Sequence, residues 1–193
     1  MLFCAQCGIK NCAKDLGKEG EYPGHCPTKC ERQGEYLKEY EEPLDRLLAQ
    51  KSAIVSPDHG ECRVKKTIRF AKECGFKKIG LAFCVTLKDT AKVLDKVLRQ
   101  EGFEVESVIC KVGHQDRTQI GIPASCHAMC NPIAQAELLN EAKTDFNIIV
   151  GLCVGHDTLF IRHSEAPVTV LIAKDHVYDN APEVYLKELF KDE

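Results

Sequence analysis

Cysteine is the residue type with which this chain could do chemistry: 193 residues contain twelve. Cys4, Cys7, Cys12, Cys26 and Cys30 form the array C-x2-C-x4-C-x13-C-x3-C near the start. A C-x2-C opening followed by further cysteines is a strong metal signal. A tetrahedral site needs four donors, and Cys4, Cys7, Cys12 and Cys26 are the expected set. Cys30 falls where the next helix reads as beginning, which makes it the substitute, and His25 is an alternative imidazole donor. Zinc or an iron–sulfur cluster would suit these ligands.

A second group is scattered in sequence. The segments LAFC, SVIC and GLC each read as a strand that ends on cysteine, at Cys84, Cys110 and Cys153. In an open parallel sheet the carboxyl ends of the strands share one edge, where ligands bind beside the point at which strand order reverses. Three such thiols therefore converge. Cys130, in SCHAMCNP, precedes Asn131, the expected cap of the following helix, and helix starts of that kind lie on the same edge. A helix N-terminus also favours a thiolate. Cys126 is the spare. Structural zinc is usually clipped by two close cysteine pairs. Dispersed ligands among apolar walls, with Gly113, Gly151 and Gly155 letting backbone approach, suit a bulkier iron–sulfur cluster, of the 4Fe–4S kind.

Two residues after Cys153 the chain continues Gly155-His156-Asp157. A thiolate–imidazole pair is one reading, and GLCVG has the spacing of a hydrolase elbow with cysteine in place of serine. Cys84 and Cys110 have no use in a hydrolase, so ligation is the better assignment for Cys153. His156 and Asp157 then become the groups that would move protons or meet substrate, with helix capping as the plain alternative for Asp157. Lys111, His114, Gln115 and Asp116 read as a solvated loop. Lys174, Asp175 and His176 follow the fourth strand and could reach the same edge. Cys62 and Cys74 are expected to be small buried residues.

Positioning these groups is the task of an alternating pattern. Residues 35–51 read as helix, interrupted near Pro43. Helix is expected at 60–75, 87–102, 132–143, 157–164 and 182–190, and strand at 77–84, 103–110, 147–153 and 168–173. Alternation of this kind implies parallel strands with right-handed crossovers. The expected fold is α/β, a small open parallel sheet of about four strands in a flavodoxin-like or Rossmann-like order, with a cysteine-rich N-terminal extension. Residues 1–33 contain too little apolar mass for a core and need a metal staple, and residues 34–193 form the α/β domain.

Composition narrows the function class. Hydrophobic residues make up 44% and charged residues 28%, as in ordinary globular proteins. A net charge of −3, with both signs interspersed, gives no footprint for nucleic acid or an anionic membrane. No apolar run is long enough to span a bilayer, and the N-terminus lacks the pattern of a signal peptide. A cytoplasmic location is expected, where thiols stay reduced and serve metals or catalysis rather than disulfides.

The segments CAQCGIKNC, IGLAFC, ICKVG, MCNPIAQAELLN, GLCVGHD and APVTVLIAKD occur in this order. In this the chain resembles a family of uncharacterised prokaryotic proteins, domain of unknown function 1847, over essentially its whole length. The resemblance implies cysteine-rich metal binding in microbes, often anaerobes, and it implies no particular reaction. Of the family's motif cysteines, Cys4, Cys7, Cys12, Cys84, Cys110, Cys130 and Cys153 are matched, and Cys30 and Cys126 are extras. The expected role is redox chemistry, sulfur chemistry or sensing, on a small molecule or a redox partner protein. The alternatives are a Cys153/His156 thiol enzyme with a structural zinc module and a non-catalytic metal store.

Overall fold

The computed structural model describes residue 2 and residues 4–18 and 20–189. The chain parts into two compact units, Met1–Ile54 and Val55–Glu193. Composition places the change at 33/34, whereas the compact units meet at the end of a helix, so the first two helices group with the cysteine-rich segment.

In the first unit, short 3-10 turns at Cys4–Gln6, Asn11–Ala13 and Pro27–Lys29 precede helices α1 (Gln33–Lys38) and α2 (Pro43–Val55). Pro43 opens α2, where its missing N–H and fixed φ are tolerated, so the interruption expected at this residue is a restart. Among the described residues of this unit, Asn11 alone is buried, and its amide donates to the Glu21 carbonyl at 2.5 Å. The described residues of this segment contain no buried apolar side chain.

The second unit follows the alternating pattern: α3 (Arg63–Glu73), β1 (Lys78–Phe83), α4 (Lys88–Gln100), β2 (Glu104–Ile109), α5 (Pro132–Glu141), β3 (Phe146–Val150), α6 (His156–His163), β4 (Val168–Ile172) and α7 (Glu183–Leu189). Phe190, the last residue of the helix expected at 182–190, lies outside the described residues. The four strands are all parallel, in the order β2-β1-β3-β4.

Local signals account for the elements. Ala91, Leu94 and Leu98 lie on one stripe of α4 and are buried. Its end is closed by two bonds, Phe103 N–H to the Leu98 carbonyl at 3.1 Å and Gly102 N–H to that of Arg99 at 3.1 Å. That double bond requires a left-handed residue after the helix, and Gly102 supplies it with φ 93°. The ends of α3 and α5 close in the same way, so each helix hands its chain directly to a strand. The Asp145 carboxylate then takes the N–H groups of Lys77 and Lys78 at 2.7 and 2.8 Å, tying the start of β1 to the approach of β3.

Strand alternation sorts the core into two layers. Ile79, Leu81, Ile148 and Val150 face α3 and α4, where Ala71, Ala91, Leu94 and Leu98 complete one cluster. Ala82 and Ile149 face the other side and pack with Ala136 and Leu139 of α5 and Phe160 of α6. Cys84 and Cys110 belong to this second layer, with Cys130 against it. Successive side chains on a strand alternate faces, so Cys84 follows Ala82, and Cys110 follows Val108, onto the α5/α6 side. Among the described residues, no helix is long and apolar enough to cross a membrane.

Candidate functional site

The carboxyl ends of β1, β2 and β3 bring the scattered thiols to one edge. Cys84 and Cys110 are buried, and Cys130 and Cys153 are half-buried. Backbone bonds fix the first two: Cys84 N–H donates to the Val150 carbonyl at 3.2 Å and Cys110 N–H to that of Phe83 at 2.9 Å. Asn131 N–H donates to the Cys110 carbonyl at 2.8 Å, which draws Cys130 in. The Asn131 side chain caps α5 by accepting from Ala134 N–H at 3.0 Å, as its position before Pro132 predicts. Cys126, four residues earlier, is exposed.

The thiols share one apolar layer, with Cys130 packed against the cluster that contains Cys84 and Cys110. The Cys110 sulfur accepts from Val85 N–H at 3.3 Å. The Cys84 sulfur accepts from the Thr86 hydroxyl at 3.3 Å. Lys174, which follows β4, places its ammonium 2.9 Å from the Cys84 sulfur and 3.5 Å from that of Cys153. One cation therefore stands between the thiols at the ends of the two central strands.

Those surroundings separate the thiols chemically. Burial pushes the Cys84 thiol up, but hydrogen bonds from Lys174 and Thr86, with the lysine charge, bring it down to about 7. Burial pushes Cys110 up to about 12, and the neighbouring thiols of Cys130 and Cys84 add to this against the Val85 N–H. Burial holds His156 below the usual imidazole value, and the charges of Lys111 and Lys174 act with it while Asp157 opposes them. His156 is therefore a neutral imidazole near pH 7, able to accept a proton.

His156 and Asp157 form the first turn of α6, and their N–H groups donate to the Cys153 carbonyl at 2.8 and 3.2 Å. Strand, tight turn and helix thus follow one another at Cys153. The polar neighbour of its sulfur is the Lys174 ammonium; no hydrogen bond joins it to the His156 imidazole among the described residues. The Asp157 carboxylate takes Thr158 N–H at 2.8 Å. Of the loop after β2, Lys111 reaches the Ala128 carbonyl, and Asp116 caps a short turn by accepting from Thr118 N–H at 2.9 Å.

One contributor carries little sequence signal. Gln135, fully buried on α5, donates through its amide nitrogen to the carbonyls of Val108 at 2.7 Å and Phe83 at 3.3 Å, spanning the strand ends beneath Cys110 and Cys84. Its amide oxygen has no partner among the described residues. The only hint is a glutamine four residues before Leu139, on the helix face that reads as apolar. Gly151, expected to let backbone approach, has φ 63°. A Cβ there would lie 2.0 Å from Leu87 Cδ1 and 3.3 Å from its Cγ. Gly151→Ala is expected to destabilise the fold by about 2–4 kcal/mol in urea unfolding, from left-handed strain plus displacement of Leu87.

At the N-terminus, Cys4, Cys12 and Cys30 are exposed and Cys7 and Cys26 half-buried. The N–H groups of Lys10 and Ile9 point at the Cys7 sulfur and hold its thiol below the usual value. Lys10 adopts the left-handed conformation, φ 51°, immediately before the turn at Asn11–Ala13. All twelve cysteines are free thiols. Among the described residues, no three Cys, His, Asp or Glu side chains stand in a ready-made coordinating arrangement, at either group. Cys62, expected to be buried, is instead exposed at the cap of α3, a position set by backbone geometry rather than packing; Cys74 is half-buried.

An uncharacterised protein of Methanocaldococcus jannaschii is 40% identical to the chain over 198 residues, covering 98% of this chain and 97% of that protein. Residues 26–171 match a family described as proteins of unknown function, DUF1847, and the matched stretch contains Cys84, Cys110, Cys130 and Cys153. The chain belongs to that family.

Proposed function

We propose that this is a cytoplasmic iron–sulfur protein whose strand-end thiols Cys84, Cys110, Cys130 and Cys153 hold a cluster, of the 4Fe–4S kind, for redox, sulfur or sensing chemistry. The observation that carries the proposal is the Lys174 ammonium set between the sulfurs of Cys84 and Cys153, with Cys110 and Cys130 in the same α5/α6 layer as Cys84. The donor set fits such a group. It is all sulfur, it is walled by the α5/α6 apolar layer, and Cys130 and Cys84 oppose ionisation of buried Cys110. A bound cationic centre removes that opposition, because a coordinating thiol is deprotonated outright.

When bound, a cluster supplies one-electron transfer or a labile iron for a sulfur-bearing ligand. The residues around it have separate tasks. Lys174 balances thiolate charge and donates to sulfur, Gln135 holds the ends of β1 and β2 together, and the neutral His156 imidazole accepts a proton. Asp157 stands beside it in the first turn of α6. Cys4, Cys7, Cys12 and Cys26, with Cys30 or His25 in reserve, form a separate staple for zinc or a second cluster. The paired N–H groups on Cys7 suit a thiolate ligand, and the lack of buried apolar side chains among the described residues gives metal binding a folding role there.

A specific observation favours a second reading, a thiol enzyme with a structural zinc module. Its nucleophile would be Cys84 rather than Cys153, because Lys174 lies closer to Cys84 and lowers its thiol to about 7. Anaerobic purification with iron, sulfide and zinc analysis separates the two. A brown protein containing iron and acid-labile sulfide is expected, and deletion of residues 1–33 is expected to leave the visible spectrum of the strand-end centre. A colourless protein with zinc alone would overturn the cluster and favour the second reading or a non-catalytic metal store.

A further inference from the structure

We infer that the cavity between Thr86 and the loop after β4 is the binding site for the small molecule served by the strand-end centre, and that this molecule is a small organic ammonium compound. The inference rests on Cys84 belonging to a working centre. The cavity, about 280 Å³ in volume, is lined by Thr86, Leu87, Asp175, His176, Asp179 and Asn180, among others.

Its place in the fold comes first. From β1 the chain crosses to β2 on one side, while β3 pairs on the other, so strand order reverses between β1 and β3. Ligands of open parallel sheets bind in the crevice outside that point. Thr86 links cavity to sulfur, since its hydroxyl donates to Cys84 at 3.3 Å while the residue lines the cavity. A ligand resting on Thr86 therefore lies beside the thiol that Lys174 holds. Leu87, seated over Gly151, forms an apolar wall.

The opposite wall is built before any ligand arrives. One Asp175 carboxylate oxygen accepts from Val177 N–H at 2.8 Å and Tyr178 N–H at 3.0 Å. Asn180 closes the turn in both directions, its side-chain oxygen accepting from Asp175 N–H at 3.2 Å and its own N–H donating to the Asp175 carbonyl at 2.8 Å. Asp179 and Asn180 are consecutive left-handed residues, φ 48° and 64°, without being glycine. Backbone conformations of this unfavourable kind cluster at functional sites and ligand clamps.

Charge then selects the ligand. The lining carries the carboxylates of Asp175 and Asp179 and no lysine or arginine, because the Lys174 ammonium is committed to the sulfurs. A cation is favoured. An organic ammonium group facing Asp179, with a short carbon chain along Leu87, places the far end of the molecule at Thr86 and Cys84.

The test uses the full chain, metal-free and as isolated, titrated with n-propylamine, propionate and n-propanol and followed by amide NMR. Propylamine is expected to shift Thr86, Val177 and Asp179 saturably and to bind at least about tenfold more tightly than either matched compound. Asp179→Asn keeps a residue that tolerates the left-handed turn and removes the charge, so it should weaken propylamine binding about fivefold. Stronger binding of propionate, or no saturable shift with any of the three, would overturn the inference. Propylamine binding by a protein that contains no iron or sulfide when purified anaerobically would leave this site standing and remove the cluster reading. Iron and sulfide in a protein blind to propylamine would do the reverse.

Discussion

Cys84→Ser, produced anaerobically, is expected to lose most of its iron and acid-labile sulfide, as is Cys153→Ser, whereas Cys62→Ser retains both. Cys84 and Cys153 end the two central strands and flank one ammonium, while Cys62 caps α3 in solvent. Serine is close in shape to cysteine, so the fold survives and the loss reports ligation. Cys110→Ser should behave likewise, with a smaller solubility margin because its side chain is packed in the α5/α6 layer. Metal and sulfide per chain decide the matter. Unchanged iron in both Cys84→Ser and Cys153→Ser would remove the strand-end centre and leave the N-terminal array as the metal site.

Lys174→Met should slow alkylation of Cys84 in the metal-free protein more than tenfold at pH 7. The sign follows from the causes. Burial alone raises this thiol above its ordinary value of 9.0, and Lys174 is the main group bringing it to about 7. With the ammonium gone, the thiolate retreats to alkaline pH, and at neutrality only a small fraction of the thiol is ionised. The rate measured against pH for iodoacetamide should have its midpoint near 7 in the parent protein and shift to more alkaline pH in the variant, where the Thr86 hydrogen bonds alone oppose burial. Lys174→Arg keeps the charge and should preserve much of the reactivity. A midpoint unmoved by Lys174→Met would mean that the lysine does not face the sulfur in solution.

Much of the fold was legible because its signals are local. The Ala91-Leu94-Leu98 stripe, the Gly75 and Gly102 stops and the Pro132 start each mark one element, and alternation of strand and helix implies a parallel sheet. The convergence of Cys84, Cys110 and Cys153 followed from the shared direction of the strands, and Cys130 from the start of α5. Lys174 was legible as a residue beyond β4 that could reach the edge, but its contacts with two sulfurs were not. The register of β4 against β3 slips by one at Leu171, between Val170 and Ile172, and VTVLIA carries no mark of the slip ahead of that lysine. Thr86 and Gln135 escaped because their roles depend on three-dimensional neighbours, a sulfur for one and two strand-end carbonyls for the other. The alternative pairing of Cys153 with His156 rests on proximity in sequence, whereas a residue from beyond the next strand supplies the polar contact of the sulfur.

The order β2-β1-β3-β4 has a consequence for how the molecule comes apart. Cys110, Cys84 and Cys153 terminate three adjacent strands, and Cys130 leads into the helix that covers them. A centre gripping all four thiols would clasp segments far apart in the chain, and such cross-links restrict an unfolded ensemble most when the loops they close are long. No one strand could peel away without opening the clasp. Bleaching of the centre and melting of the sheet should therefore be a single cooperative event, with the colour of the protein serving as its own thermometer of unfolding.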